Sequence, residues 1–172
     1  MKNLQFDFIV NKEDNTIRII KEFAADKPLI WDVYTKSEYL DQWWAPEPWK
    51  TKTKQMNFAE GGRWLYAMIG PNGENNWCCF DYQKIQRLEI FTALDAFCDE
   101  AGNINKQFPR THWELRFTEI NQNTLVKSVL TYNSLQDLET ILSYGFQEGI
   151  TIGMEKLEKF IETLKLKRNE KK

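Results

Sequence analysis

The fold is decided by one stretch near the C-terminal end of the chain, SLQDLETILSYGFQEGITIGMEKLEKFIETL (residues 134–164). After Ser134 its apolar residues recur at helical spacing and form one stripe: Leu138, Leu142, Phe146, Met154, Leu157, Ile161 and Leu164. A continuous helix of about thirty residues would be roughly 45 Å long. We therefore expect one long amphipathic helix, covering at least residues 138–164, whose apolar stripe needs a partner surface.

The chain before this helix supplies that surface, because its pattern has the two-residue period of strands. Strands are predicted at residues 15–23, 50–55, 63–69, 76–85, 88–97, 111–117 and 125–132. Turn sequences separate several of them, and connections of hairpin length predict antiparallel neighbours. Lysines at alternate positions in residues 50–55 favour an exposed edge strand.

Two short helices are predicted between the first two of these strands. Asp26 is placed to cap the first helix, with Pro28 near its first turn. Ser37 is expected to cap the second, which the prolines at 46 and 48 end. The whole order predicts an α+β fold, in which a curved antiparallel sheet of six to seven strands covers the long C-terminal helix.

Length and composition predict a single domain over residues 1–172, with a core of about 15–165 and a basic tail at 166–172. The net charge of −2 argues against nucleic-acid binding, which requires a basic surface. No apolar run approaches the roughly 20 residues of a membrane span. The N-terminus lacks a signal-peptide pattern, and the three cysteines lack the spacing of a disulfide framework. We expect a cytoplasmic protein without membrane insertion.

Three glycines of the predicted helix, Gly145, Gly149 and Gly153, are spaced four apart and would share one helix face. Each costs up to about 1 kcal/mol relative to alanine inside a helix. One explanation is close approach of the sheet backbone or of a large aromatic side chain. The other is that the missing side chains leave a cavity between helix and sheet.

The segment DQWWAPEPW (residues 41–49) holds three of the seven tryptophans, and its prolines exclude regular structure. One explanation is that these rings only pack against a wide curved sheet. The other is that they also close one end of a cavity.

Chemistry offers little beyond this. The single histidine, His112, shares a strand face with Glu114 and Arg116, so we expect it on the surface. One histidine and no spaced cysteines make a metal site or a cofactor improbable, and no nucleophile motif points to His112. The carboxylates of Asp81, Glu89, Asp95 and Glu114 are interpreted as exposed salt-bridge partners.

The sequence also resembles a known family, in an ordered string of motifs: Trp43-Trp44-Ala45-Pro46, Gly61-Gly62-Arg63-Trp64, Tyr66, Met68, Gly70-Pro71, Gly73 and the late glycines. These are similar to bacterial proteins related to the C-terminal domain of the activator of the heat-shock protein 90 ATPase. That family lies within the START-like, or Bet v 1-like, superfamily. Three positions depart from the usual pattern: Ala45, which is a mild change, and Phe80 and Ile150, whose bulk bears on the size of any cavity.

The resemblance implies a helix-grip fold and a non-enzymatic domain that binds a small hydrophobic ligand between sheet and helix. The candidate cavity residues are Trp31, Trp44, Trp64, Tyr66, Met68, Phe80, Tyr82, Trp113, Phe146, Gly149 and Gly153. Two alternatives stay open. One is a co-chaperone-like module that binds a chaperone or another protein. The other is a polyketide cyclase or dehydratase, which would require polar residues inside the cavity.

Overall fold

The computed structural model describes residues 3–170. Within them the chain forms eight strands and four helices. In chain order these are β1 (Phe6–Asn11), β2 (Thr16–Phe23), α1 (Lys27–Thr35), α2 (Ser37–Trp43), β3 (Lys50–Met56), β4 (Arg63–Ile69), β5 (Asn75–Gln86), β6 (Ile90–Cys98), β7 (His112–Ile120), β8 (Asn123–Thr131), α3 (Leu135–Ser143) and α4 (Phe146–Glu170).

All eight strands belong to one curved antiparallel sheet, in the order β1-β2-β8-β7-β6-β5-β4-β3. β8, the last strand in the chain, pairs with β2 on one side and with β7 on the other. It therefore connects the β1-β2 hairpin to the meander formed by β3 to β7. The lysine-bearing β3 forms one edge, as its alternating pattern predicts. The predicted α+β architecture is confirmed.

The strand count is eight, because the prediction omitted β1. Five of its six residues are half-buried and Ile9 is exposed, so the strand has no contrast between an apolar and a polar face. A hairpin in which Asn15 adopts a positive φ of 58° pairs it with β2. An edge strand of this kind lacks the alternation on which prediction from sequence depends.

The prediction of one continuous C-terminal helix is wrong at one point, because the helix is interrupted at Tyr144-Gly145, between α3 and α4. Gly145 has φ +81°, a left-handed conformation that ends a helix and favours glycine. The apolar spacing continues across the break, so periodicity alone does not reveal it. Gly145 therefore terminates α3 and is not part of a helical glycine stripe.

The predicted helix caps are confirmed in one case and wrong in the other. The Asp26 carboxylate accepts a hydrogen bond of 3.1 Å from the Leu29 amide, with Pro28 in the first turn. α2 begins at Ser37 itself, and the extended residue before it, Lys36, provides no side-chain cap. Ser134 caps α3 through the Asp137 amide at 3.1 Å.

The main core lies between the inner face of the sheet and the helices. β7 contributes Trp113, Leu115 and Phe117, which are buried as their alternation predicts. Met154, Leu157 and Ile161 of α4 pack into the same cluster. α4 therefore covers the sheet through the apolar stripe that the sequence displays.

A second, small apolar cluster lies on the outer face of the sheet. It contains Leu65, Cys79 and Ala96, which neighbour one another across β4, β5 and β6. Cys78 and Cys79 are adjacent and point to opposite faces, so Cys78 belongs to the main core. Both thiols are buried, whereas Cys98 is half-buried.

None of the helices within residues 3–170 is both long and apolar enough to cross a membrane. Part of the basic tail, including Lys167 and Arg168, forms the last turn of α4. Cations there interact favourably with the helix dipole. Lys171 and Lys172 lie outside the described residues.

Candidate functional site

A cavity of about 310 Å³ lies between the inner face of the sheet and helices α3 and α4. Side chains from β2, β4 to β8, the segment after α2 and both C-terminal helices form its wall. Most of these are apolar, and many are aromatic. The size falls within the range of small-molecule sites, which are concave and mostly apolar with few polar groups.

The structure places eight of the eleven predicted residues on the cavity wall: Trp44, Tyr66, Met68, Phe80, Trp113, Phe146, Gly149 and Gly153. Their contact with a ligand stays a prediction. The departures at Phe80 and Ile150 also lie on the wall, where their bulk limits the space.

The other three predicted residues lie in the packed core beside the cavity. The ring centroids of Trp31 and Phe117 are 4.9 Å apart, and those of Tyr82 and Phe58 are 4.8 Å apart. The Trp64 ring stacks on the Tyr66 ring with centroids 3.9 Å apart, and Trp64 does not line the cavity. Strand parity places Trp64 and Tyr82 on the correct face but does not say how far along it the cavity extends.

The Trp-Trp-Ala-Pro segment is held by its own hydrogen bonds. The Trp43 indole N–H donates to the Val33 carbonyl at 2.8 Å, and the Ala45 amide donates to Thr51 Oγ1 at 2.8 Å. The Trp44 ring lies 5.5 Å from Phe80 and 5.8 Å from Trp113. Trp43 and Trp44 both line the cavity, and Trp43 is also buried in the main core.

The two glycines of α4 border open space. A Cβ built at Gly149 would lie 3.7 Å from Pro46 Cγ, and one at Gly153 would lie 4.0 Å from the Trp44 carbonyl oxygen. Both are ordinary van der Waals distances, so no close approach of the sheet requires glycine here. This favours the second explanation given above, in which the missing side chains enlarge the cavity.

The sequence interpretation of Asp95 as an exposed salt-bridge partner is wrong, because its side chain faces the cavity. Oδ1 accepts from the Thr111 amide at 2.7 Å, and Oδ2 accepts from Trp113 Nε1 at 2.8 Å. Burial raises the pKa of Asp95 to about 6, although these hydrogen bonds and nearby Arg110 lower it. Parity provided a usable signal, since Asp95 shares a face with Phe91 and Ala93.

Further polar residues of the wall were missed. Lys21 is buried on β2, in parity with Ile17 and Ile19, and pairs with Glu158 of α4. Tyr132 is buried after β8, and its hydroxyl has no hydrogen-bond partner among residues 3–170. Burial raises the pKa of Tyr132, an effect that Thr111 opposes.

The other three predicted carboxylates form ion pairs, as expected, but only Glu89 is exposed, whereas Asp81 and Glu114 are half-buried. Asp81 lies 2.6 Å from both Arg63 and Arg110. Partial burial alone would raise the pKa of Asp81, but the hydrogen bonds from the two arginines outweigh it and lower that pKa. The remaining pairs are Glu89 with Lys27 and Glu114 with Arg116.

His112 Nε2 lies 3.1 Å from Gln83 Oε1, at an exposed position. In the part of the chain that the structure describes, no three histidine, cysteine or acidic residues are grouped to hold a metal ion.

An antiparallel sheet wrapped on a long C-terminal helix, with a cavity between them, defines a helix-grip domain of the START-like class. The sequence pattern of the family described as activator of Hsp90 ATPase homolog 1-like protein matches residues 24–162. The chain belongs to this family. A comparison with curated protein sequences gives no match.

Solved structures agree with this assignment. Protein Ms6760 from Mycobacterium smegmatis is 28% identical, with a TM-score of 0.83 over 92% of this chain and 96% of that one. A protein from Staphylococcus epidermidis is 25% identical, with a TM-score of 0.79 over 90% and 93% of the two chains. The AHSA1 protein from Silicibacter pomeroyi is 19% identical, with a TM-score of 0.66 over 86% and 98%, and shows likeness of fold alone.

Proposed function

We propose that this protein is a non-enzymatic cytoplasmic domain that binds one small hydrophobic ligand in the cavity between sheet and helices. The observation that carries the proposal is the cavity of about 310 Å³ with its aromatic wall. Transfer of apolar surface from water contributes roughly 25 cal/mol per Å², so burial of an apolar molecule of matching size favours binding.

The packing of the wall supports a site that exists before the ligand arrives. Trp44 contacts Trp64, Phe80 and Trp113 edge-on or tilted, at 5.5 to 5.8 Å. Such aromatic contacts favour a fixed geometry. A preformed pocket costs less ordering on binding than one that must open or fold around its ligand.

The test uses N-phenyl-1-naphthylamine, a neutral probe that becomes fluorescent in apolar surroundings. We expect saturable binding by the wild type, accompanied by quenching of tryptophan emission. Gly149→Ala and Gly153→Ala each place a methyl group at the cavity wall and should weaken binding. Thr163→Ala, at an exposed position of the same helix, raises helix propensity without touching the cavity and should bind like the wild type. Absence of saturable binding by the wild type would refute the proposal.

A second candidate function is acid–base catalysis on a polyketide-like substrate, because a carboxylate lies in the apolar cavity. The pKa of Asp95, raised by burial to about 6, suits a group that exchanges protons near neutral pH. Incubation with 2-tetralone in deuterium oxide tests this function by NMR. Enhanced exchange of the protons beside the ketone, lost in Asp95→Asn, would support catalysis, and exchange at the buffer rate would exclude it for this ketone.

A further inference from the structure

Asp95 is the one acidic residue of the cavity wall within residues 3–170. It belongs to a row that crosses the sheet: Phe80 is its neighbour on β5, and its amide donates to the Thr111 carbonyl at 2.9 Å. Tyr132 extends this row, because the β7–β8 register pairs the adjacent residues His112 and Thr131. The sheet thus aligns three polar side chains, those of Asp95, Thr111 and Tyr132, along a mostly apolar wall.

The Asp95 carboxylate has acceptor capacity that the protein does not use. Each carboxylate oxygen has two lone-pair sites; Oδ1 accepts from the Thr111 amide and Oδ2 accepts from Trp113 Nε1. The Thr111 side chain also lies close enough to lower the pKa of Asp95, which still leaves one of the four sites unused. Arg110 donates instead to the Asp95 backbone carbonyl at 2.9 Å and to the Asp81 carboxylate at 2.6 Å. Asp95 is half-buried and lines the cavity, so a ligand there can reach it.

Tyr132 provides an independent observation at the same wall. Tyr132 lines the cavity and is 3% exposed, and its hydroxyl forms no hydrogen bond of ordinary geometry among the described residues. The Thr111 side chain lies near enough to lower the pKa of Tyr132. A buried hydroxyl without a partner costs free energy, which a ligand atom can recover. The Asp95 carboxylate can accept a further hydrogen bond from a ligand, and the Tyr132 hydroxyl can donate one to a ligand. A ligand hydroxyl can serve both, since it donates one hydrogen bond and accepts another.

We propose that Asp95 and Tyr132 form a polar subsite that binds the hydroxyl group of an apolar alcohol or phenol. The proposal rests on the proposed function and adds the chemical class of the ligand. The aromatic wall holds the apolar body, and the subsite fixes its orientation. An ammonium group would satisfy Asp95, but it offers no acceptor to Tyr132.

The test compares 2-naphthol with 2-methylnaphthalene, which differ by a hydroxyl in place of a methyl group of similar size. Dissociation constants are measured at pH 7.5 by tryptophan quenching. We expect the wild type to bind 2-naphthol at least about tenfold more tightly, as is usual when a site is built for a polar group. Tyr132→Phe and Asp95→Asn should each reduce this preference to under about threefold. Glu114→Gln, on the neighbouring strand and outside the cavity, should retain the preference.

Each outcome decides the proposal. Equal affinity of the wild type for the two probes overturns the polar subsite and leaves ligand binding intact. Binding of neither probe refutes the proposed function and this inference with it. A full preference in both folded variants also overturns the assignment. If Asp95→Asn does not fold, the wild-type comparison and Tyr132→Phe decide. Tighter binding of the ammonium probe 2-naphthylmethylamine than of 2-naphthol would overturn the hydroxyl class.

Discussion

The Trp44 indole N–H donates a hydrogen bond of 3.0 Å to the Tyr66 phenol oxygen. This contact ties the irregular segment after α2 to the inner face of β4. Both rings belong to the cavity wall, so the bond fixes wall geometry as well as segment position. Burial raises the pKa of Tyr66 well above its usual range, and the phenol therefore stays neutral.

Tyr66→Phe removes the acceptor and leaves the Trp44 N–H without a partner inside the protein. We expect a loss of about 1–3 kcal/mol in unfolding free energy, the usual cost of an unsatisfied buried donor. Urea denaturation measures the loss. Tyr39→Phe serves as the control, because the half-buried Tyr39 lies outside the cavity wall. An equal loss in both variants would show that the Trp44 contact contributes nothing specific.

Alanine at two neighbouring glycines should change stability in opposite directions. Gly149→Ala gains up to about 1 kcal/mol of helix propensity without a steric conflict. Gly145→Ala forces a methyl group onto a residue with φ +81° and should cost about 1–2 kcal/mol. Thermal unfolding of the two variants gives the signs. A marked loss in Gly149→Ala would indicate a tightly packed wall and argue against the cavity.

The stability of the wild type relative to Asp95→Asn should depend on pH. Because burial raises the pKa of Asp95 to about 6, the folded protein retains this proton up to a higher pH than the unfolded chain, whose carboxyl titrates near 3.9. Between about pH 4 and 6 the folded state therefore binds more protons, and the contribution of Asp95 to stability falls as pH rises, by up to about 3 kcal/mol.

The measurement is denaturant unfolding of both proteins from pH 4 to 8, with the difference in free energy plotted against pH. The groups that act on Asp95 from neighbouring elements are Arg110, Tyr66, Cys78 and Tyr132. Burial raises the pKa of Cys78 to about 12 and also raises those of Tyr66 and Tyr132, so neither this thiol nor these phenols titrate in the window. A difference in unfolding free energy that does not change with pH would show that the Asp95 carboxylate is exposed to water.

The ion pair between Lys21 and Glu158 should respond asymmetrically to loss of either partner. Lys21 is buried, whereas the Glu158 side chain is 42% exposed. Glu158→Gln leaves a buried cation without its counter-ion and should cost about 1–3 kcal/mol, less than a fully buried pair because water reaches Glu158. Lys21→Met removes the buried charge and should cost less. The reverse order in urea denaturation would contradict this account.

His112 should be dispensable. It lies at the surface, with Gln83 as its hydrogen-bond partner. His112→Ala should change the unfolding free energy by less than about 1 kcal/mol and leave probe binding intact. Loss of probe binding would show that a change on the His112 face of the sheet alters the cavity.

Periodicity predicts which strands form and which face each presents, because one face of the sheet is covered and the other meets water. Trp113, Leu115 and Phe117 illustrate this on β7, where every second residue is buried. The same reasoning fails for β1, since an edge strand with Ile9 exposed has no such contrast. It also fails at Gly145, where a backbone dihedral interrupts a side-chain pattern that continues unchanged.

The sequence predicted most of the aromatic residues of the cavity wall but not its polar residues. Asp95, Lys21 and Tyr132 have the parity of buried positions, but a charged or polar residue on a strand is more often exposed. Their burial depends on partners distant in sequence, such as Thr111 for Asp95 and Glu158 for Lys21. Pattern reading of one chain does not provide those pairings.

The closeness of the tryptophan rings has an optical consequence. Trp44 lies 5.3 Å from Trp43, 5.5 Å from Trp64 and 5.8 Å from Trp113. At such separations the excited states of indoles couple, and absorbed energy migrates among the rings before emission. Near-ultraviolet circular dichroism of the folded protein should therefore show a coupled signal from this group. A molecule entering the cavity would alter emission from several tryptophans at once, so the protein carries its own reporter of occupancy.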